Sequence, residues 1–195
     1  YAVWLACFYK DKNVLVIATK LAVAQNFIKK VKTAMRSMPQ WLMLPDVVSQ
    51  NKQGIELSNG STIKAVPTSD DAGRSEALSL LIVDEAAFIR NFEELWMGLY
   101  STLSTGGRAI IVSTPNGVGD KYHELCVQAE NKENEFNFIK LMWDVHPERD
   151  DEWFESETKN MSKKQIAQEL MCDFAASGET FLSAPDLEGM ALRIK

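Results

Sequence analysis

Two adjacent carboxylates, Asp84 and Glu85, close the apolar run Leu80-Leu81-Ile82-Val83. Four apolar residues in a row read as a strand buried on both faces, so the carboxylates emerge at its C-terminal end. In open α/β sheets ligands bind at that edge. A lone carboxylate suffices to hold magnesium, a hard cation that keeps most of its waters, beside a triphosphate. The neighbouring carboxylate can then orient or deprotonate an attacking water, the Walker B arrangement of nucleotide hydrolysis. The same pair also reads as a plain helix cap. A second apolar run, Ile110-Ile111-Val112, ends in Ser113-Thr114-Pro115-Asn116-Gly117. Its hydroxyls and amide suit hydrogen bonding to a terminal phosphate, although Pro-Asn-Gly is also ordinary turn chemistry. Asp84 and Ser113 stand 29 positions apart with one helical stretch between, a spacing that suits neighbouring sheet strands. Just ahead of the Asp-Glu strand lies Asp71-Ala72-Gly73-Arg74-Ser75. That loop either delivers a guanidinium to phosphate or is a solvated surface loop.

The elements that must position these groups follow from periodicity. Tyr1 to Tyr9 is apolar nearly all round and reads as the buried body of a helix whose start lies outside the sequence. Val14 to Ala18 is a short buried strand. Thr19 is expected to cap a helix from Lys20 to Met38, with Ala24, Phe27, Ile28, Val31 and Met35 on its apolar face and Lys29, Lys30, Lys32 and Arg36 opposite. Pro39 and Pro45 mark a loop. Ile55–Leu57 and Thr62–Val66 flank Ser58-Asn59-Gly60-Ser61, a strong hairpin signal. Leu78–Val83 and Arg108–Val112 are expected as buried strands, and Phe136–Trp143 as a strand with one half-exposed face. Helices are expected over Phe92–Leu103, Asp120–Glu130, Glu152–Asn160 and Ser162–Asp173. Alternating strands and helices define an α/β chain with a mainly parallel sheet.

Composition bounds the function classes. The 195 residues are 46% hydrophobic and 25% charged, ordinary globular values that exclude a disordered tail. Lys and Arg number 21 against 27 Asp and Glu, a net charge of −6, which argues against nonspecific coating of nucleic acid. No run of 18 uncharged apolar residues occurs, so no membrane partner is expected. Cys7, Cys126 and Cys172 are too far apart for a CxxC pair and are expected as buried thiols in a reducing compartment. His123 and His146 have no ligand-like spacing, and the five tryptophans are expected to pack rather than stack on bases.

Arg74-Ser75, Leu81-Ile-Val-Asp-Glu-Ala-Ala-Phe-Ile89 and Val112-Ser-Thr-Pro-Asn-Gly117 follow one another at spacings that resemble the ATPase domain of large terminase subunits, the DNA-packaging motors of tailed bacteriophages. Gly54–Ile63 resembles the hairpin of that family, and Gln168-Glu169, Asp173-Phe174, Gly178 and Phe181 resemble the segment leaving its ATPase domain. The resemblance spans essentially the whole chain. It implies a P-loop NTPase-like three-layer α/β/α fold with a β-hairpin insertion. It implies ATP and Mg²⁺ as cofactors, with Asp84 as the metal carboxylate and Glu85 as the catalytic one. Ser113, Thr114 and Asn116 resemble the nucleotide-sensing coupling motif, and Arg74 stands where some members place a catalytic arginine acting on a neighbouring subunit. The implied partners are double-stranded viral DNA, a portal protein, a small terminase subunit and further copies in a homo-oligomeric ring, within the host cytoplasm during assembly. The chain departs from the family in lacking any G-x-x-x-x-G-K-[ST] phosphate loop. Residues 1–177 are therefore expected as a partial ATPase domain, with 178–195 as a linker toward a nuclease domain. A helicase-type ATPase shares the Asp-Glu strand and the Ser/Thr loop, and a non-catalytic α/β binding module remains a third possibility.

Overall fold

A computed structural model describes residues 1–43, 45–68, 77–104 and 106–178. The chain divides into two compact units, Tyr1–Ser113 and Thr114–Lys195. Among the described residues no helix is long and apolar enough to cross a membrane.

The first unit is built on six strands in the order β2-β3-β4-β1-β5-β6. They are β1 (Asn13–Ala18), β2 (Val47–Gln50), β3 (Gly54–Leu57), β4 (Thr62–Pro67), β5 (Leu80–Asp84) and β6 (Arg108–Val112). β1 pairs in parallel with β4 and β5, and β5 with β6, while β2, β3 and β4 run antiparallel. The α/β architecture with a mainly parallel sheet and a β-hairpin is the one the sequence predicts.

β1 is apolar at every buried position because both of its faces are covered. Val14, Val16 and Ala18 join a core with Ala2, Ala6 and Cys7 of α1 (Ala2–Phe8) and Ala24, Ile28, Val31 and Met35 of α2 (Leu21–Ser37). Leu15 and Ile17 point the other way and are equally buried, as are Leu81 and Val83 of β5. Each such side chain contributes about 1.5–3 kcal/mol of hydrophobic stabilisation. α3 (Phe92–Tyr100) buries Phe92, Leu95, Trp96 and Leu99.

The hairpin turn at Asn59-Gly60 is tied back to α1. The Asn59 side-chain amide donates to the carbonyls of Ala6 and Tyr9, at 2.8 and 3.0 Å. The Ser61 hydroxyl, fully buried, donates to the Tyr9 carbonyl and accepts from the Lys12 amide. The turn thus fixes the end of the helix and sets the hairpin on the sheet.

Several local expectations are corrected. α1 forms, but buries only Ala2, Ala6 and Cys7; Tyr1, Trp4, Phe8 and Tyr9 are exposed, with Trp4 stacked on Tyr1 and edge-on to Tyr9. β2 forms between the proline-marked loop and the hairpin, in a stretch for which the sequence predicts no element. All four of its residues are exposed, so no buried face announces it. β6 is not buried on both faces: its residues alternate, with Val112 52% exposed, because it ends the sheet of described strands. Trp41 is exposed rather than packed.

The second unit is helical among its described residues: α4 (Lys121–Glu130), α5 (Asp151–Thr158), α6 (Lys163–Gln165) and α7 (Phe174–Ser177). Asp120, Asp150 and Asp173 cap the first, second and last through bonds to backbone N–H groups. Ser162 and Gln165 form a reciprocal capping box on α6, which continues into a π-turn over Ile166–Leu170. The expected strand over 136–143 does not form. Residues 136–142 lie outside any regular element, and Ile139 and Leu141 are 74% and 65% exposed. The period-two pattern is there, but among the described residues of this unit no sheet stands against it to bury its apolar face. Of the expected linker, residues 179–195 lie outside the described residues.

Candidate functional site

The C-terminal edge of the parallel strands carries the sequence-predicted carboxylates. β1 and β5 run in register, Ile17 opposite Val83. Two residues further along each strand stand Thr19 and Glu85, and the Thr19 hydroxyl donates to Glu85 Oε2 at 2.9 Å. Thr19 therefore does not cap α2. The cap residue is Lys20, with no side-chain cap bond, and the helix begins at Leu21. Parallel pairing wins because it brings a carboxylate within reach of the hydroxyl, and a charged acceptor makes the stronger bond.

Asp84, half-buried, is the last residue of β5 and pairs in register with Val112. Glu85 is exposed and leaves the strand in the left-handed region, φ 53° and ψ 44°. A non-glycine residue there costs about 1 kcal/mol or more, so the turn holds the carboxylate outward against its own backbone preference. The turn continues as a single 3₁₀ turn over Ala86–Phe88, closed by Phe88 N–H on the Glu85 carbonyl and anchored by buried Ala86 and Ile89.

Ser113, one residue past β6, is half-buried, and its hydroxyl accepts the Ala87 N–H at 3.1 Å. This bond joins the end of β6 to the turn that presents Glu85. Asp84, Glu85 and Ser113 are thus brought together, and Thr19 joins them. Sequence reading missed Thr19 as a site residue, because its partner is set by strand register and not by local spacing.

Thr114 and Asn116 open the second unit. Thr114 is half-buried, Pro115 buried and Asn116 exposed. Gly117, at φ 93°, donates its N–H to Ser177 Oγ at 3.0 Å, and Ser177 is fully buried. A Cβ on Gly117 would stand 3.0 Å from the Gly178 Cα, so glycine is needed there both for its conformation and for the close approach. Arg74 falls in 69–76 and lies outside the described residues.

Among the described residues the edge offers oxygen ligands: the Asp84 and Glu85 carboxylates with the Thr19 and Ser113 hydroxyls. That donor set fits a hard divalent cation such as Mg²⁺ and not a soft metal. Among the described residues no cluster of three His, Cys, Asp or Glu side chains is present. Mg²⁺ needs no such cage, since it is commonly held by one or two carboxylates together with phosphates and water.

A six-stranded, mainly parallel sheet puts these acidic residues at the edge where open α/β sheets bind ligands. The chain shares its fold with the large terminase ATPase domain of Thermus phage P74-26, at 21% identity and a TM-score of 0.66, over 89% of this chain and 81% of that one. It also shares it with the large terminase of a thermophilic bacteriophage solved in complex with ADP, at 11% identity and a TM-score of 0.72, over 90% of this chain and 44% of that one. The HK97 bacteriophage large terminase matches at 15% identity and a TM-score of 0.52, over 95% of this chain and 36% of its own. Residues 1–188 match the family described as terminase large subunit, T4likevirus-type, N-terminal. The chain belongs to that family.

Proposed function

We propose that the chain supplies the hydrolytic edge of an ATP-driven DNA-packaging motor. The observation that carries the reading is the juxtaposition of Asp84, Glu85, Thr19 and Ser113 at one sheet edge, in a chain of the large terminase family. The same thermophilic phage large terminase has also been solved with ATP-γ-S, which supports a nucleotide as ligand.

In this reading Asp84 would hold Mg²⁺, which would supply charge neutralisation for phosphoryl transfer. Glu85, presented outward by its left-handed turn, orients the attacking water and accepts its proton. Thr19 fixes which way that carboxylate faces. Ser113 links the end of β6 to the Glu85 turn, so Ser113, Thr114 and Asn116 form the segment through which a change at the terminal phosphate reaches the second unit. Arg74 is assigned the charge-stabilising guanidinium, acting on the neighbouring copy in a homo-oligomeric ring. Double-stranded viral DNA, a portal protein and a small terminase subunit are the partners, in the host cytoplasm during assembly. Residues 1–177 are the ATPase part and 178–195 lead away from it.

The test places these residues in a large terminase that carries a phosphate-binding loop. Glu85→Gln keeps nucleotide affinity and lowers turnover by about 10²–10⁴-fold, the contribution of a general base. Asp84→Ala weakens Mg-nucleotide binding itself. Wild-type turnover in Glu85→Gln would remove Glu85 from the reaction.

A further inference from the structure

Among the described residues two polar side chains are fully buried, Ser61 and Ser177. Ser61 ties the hairpin turn to α1. Ser177 does comparable work in the second unit. Its hydroxyl donates to the Phe174 carbonyl at 3.0 Å and accepts the Gly117 N–H at 3.0 Å. The single hydroxyl proton is thus used within α7, and a lone pair is left to hold Gly117. The same joint is built a second time in backbone. A Cβ on Gly178 would stand 2.8 Å from the Gly117 Cα. Gly178 has φ −78° and ψ 166°, a conformation open to every residue, so only this contact demands glycine there. A hydrogen bond and a glycine–glycine contact together clamp the loop after β6 onto the end of α7.

That loop is pinned at its other end too. Ser113 is the last residue of the first unit and accepts the N–H of Ala87, in the turn that presents Glu85. Gly117 is four residues further on. The chain therefore passes from one unit to the other over Thr114-Pro115-Asn116, with a serine hydroxyl anchoring each end. Four residue steps span at most about 14 Å. Pro115, buried, also has a fixed φ. So short a tether has little slack to absorb a shift of either anchor.

We propose that Ser177 receives the motion of the hydrolytic edge: with the Gly117–Gly178 contact it forms a latch that makes α7, and the chain continuing from Gly178, follow the Glu85 turn. The inference rests on the motor reading above and adds to it a positioning residue. Ser177 touches no reacting atom; it acts through Gly117 and Ser113.

The first measurement needs no nucleotide. Cys7, Cys126 and Cys172 are replaced by Ala in the 195-residue protein, and Ser177→Cys places a single thiol in the buried site. Its rate of reaction with Ellman's reagent reads how often α7 opens, since a buried thiol reacts from the open form. Ser113→Ala removes the far anchor and raises that rate about tenfold, the effect of losing one hydrogen bond. Thr102→Ala removes a 2.6 Å bond to the Leu99 carbonyl elsewhere in the first unit and leaves the rate unchanged. An unchanged rate in Ser113→Ala, or an equal rise in Thr102→Ala, overturns the latch.

The second measurement is made in a large terminase that carries these residues and a phosphate-binding loop. Ser177→Ala and Gly178→Ala each keep ATP turnover and lower the base pairs translocated per ATP by about fivefold, the low end of an energetic coupling between sites. A residue that only stabilises α7 lowers turnover and translocation together, and an unchanged ratio overturns the proposal. Uncoupling by Ser177→Ala but not by Gly178→Ala overturns it as well. Wild-type turnover in Glu85→Gln would remove the motor reading, while the thiol rates decide separately whether the two anchors are linked.

Discussion

Glu85 shows how a single residue carries information that its type alone does not. Its backbone sits in a conformation that glycine adopts freely and that other L-residues adopt at a cost. Glu85→Gly is therefore expected to raise unfolding stability by about 0.5–1 kcal/mol while removing the carboxylate. Urea denaturation checks it, and a destabilised Gly variant would show that the Thr19 bond outweighs the backbone term. The pair Asp84-Glu85 is legible in the sequence because an apolar run ending in acids is a local pattern. Thr19 is not, because nothing near it announces a carboxylate 66 positions away. Only the parallel register of β1 and β5 brings the two together.

At the scale of elements, long-range pairing decides what local pattern leaves open. β1, β3, β4, β5 and α2 are all legible, since each has a buried face with the right period. β2 is not, because an edge strand with four exposed residues has no such face. The segment 136–143 has the period and still forms no strand: alternation states a preference for a sheet but cannot supply one. The break before β6 is a tighter constraint. Gly107 donates to the Leu103 carbonyl at 2.9 Å, and a Cβ there would overlap the Leu78 carbonyl oxygen just ahead of β5. The obstacle is backbone and cannot rotate aside. Gly107→Ala is expected to cost about 1–3 kcal/mol, read as a fall in the urea midpoint at unchanged slope. The neighbouring Gly106 has open space around its missing Cβ, so only its left-handed φ of 93° opposes substitution there.

For the whole molecule, three free thiols lie in both units, and burial pushes all three above the ordinary thiol value. A group with a folded value raised above its unfolded one contributes stability that is present at lower pH and lost as pH rises. Unfolding free energy is thus expected to hold steady to about pH 8 and to decline above about pH 9, where the unfolded thiols ionise first. Replacing Cys7, Cys126 and Cys172 by Ala should flatten that alkaline limb in a series of melts, and an unchanged limb would assign it to other groups. Fold class is readable at this scale from the alternation of strands and helices, whereas the division into two units at Ser113 is not. No composition shift or flexible stretch marks that boundary, since Ser113-Thr114-Pro115-Asn116-Gly117 looks like one continuous turn.

The bond from Gly117 to Ser177 closes 60 residues of chain on a single buried hydroxyl. Its donor is one amide proton, shielded only while Phe174–Ser177 is seated. That proton is a natural spectroscopic reporter: its exchange with deuterated solvent times how often α7 lifts away. The resonance of a glycine immediately after the candidate coupling segment would thereby register, without any label, an event 60 residues further along the chain.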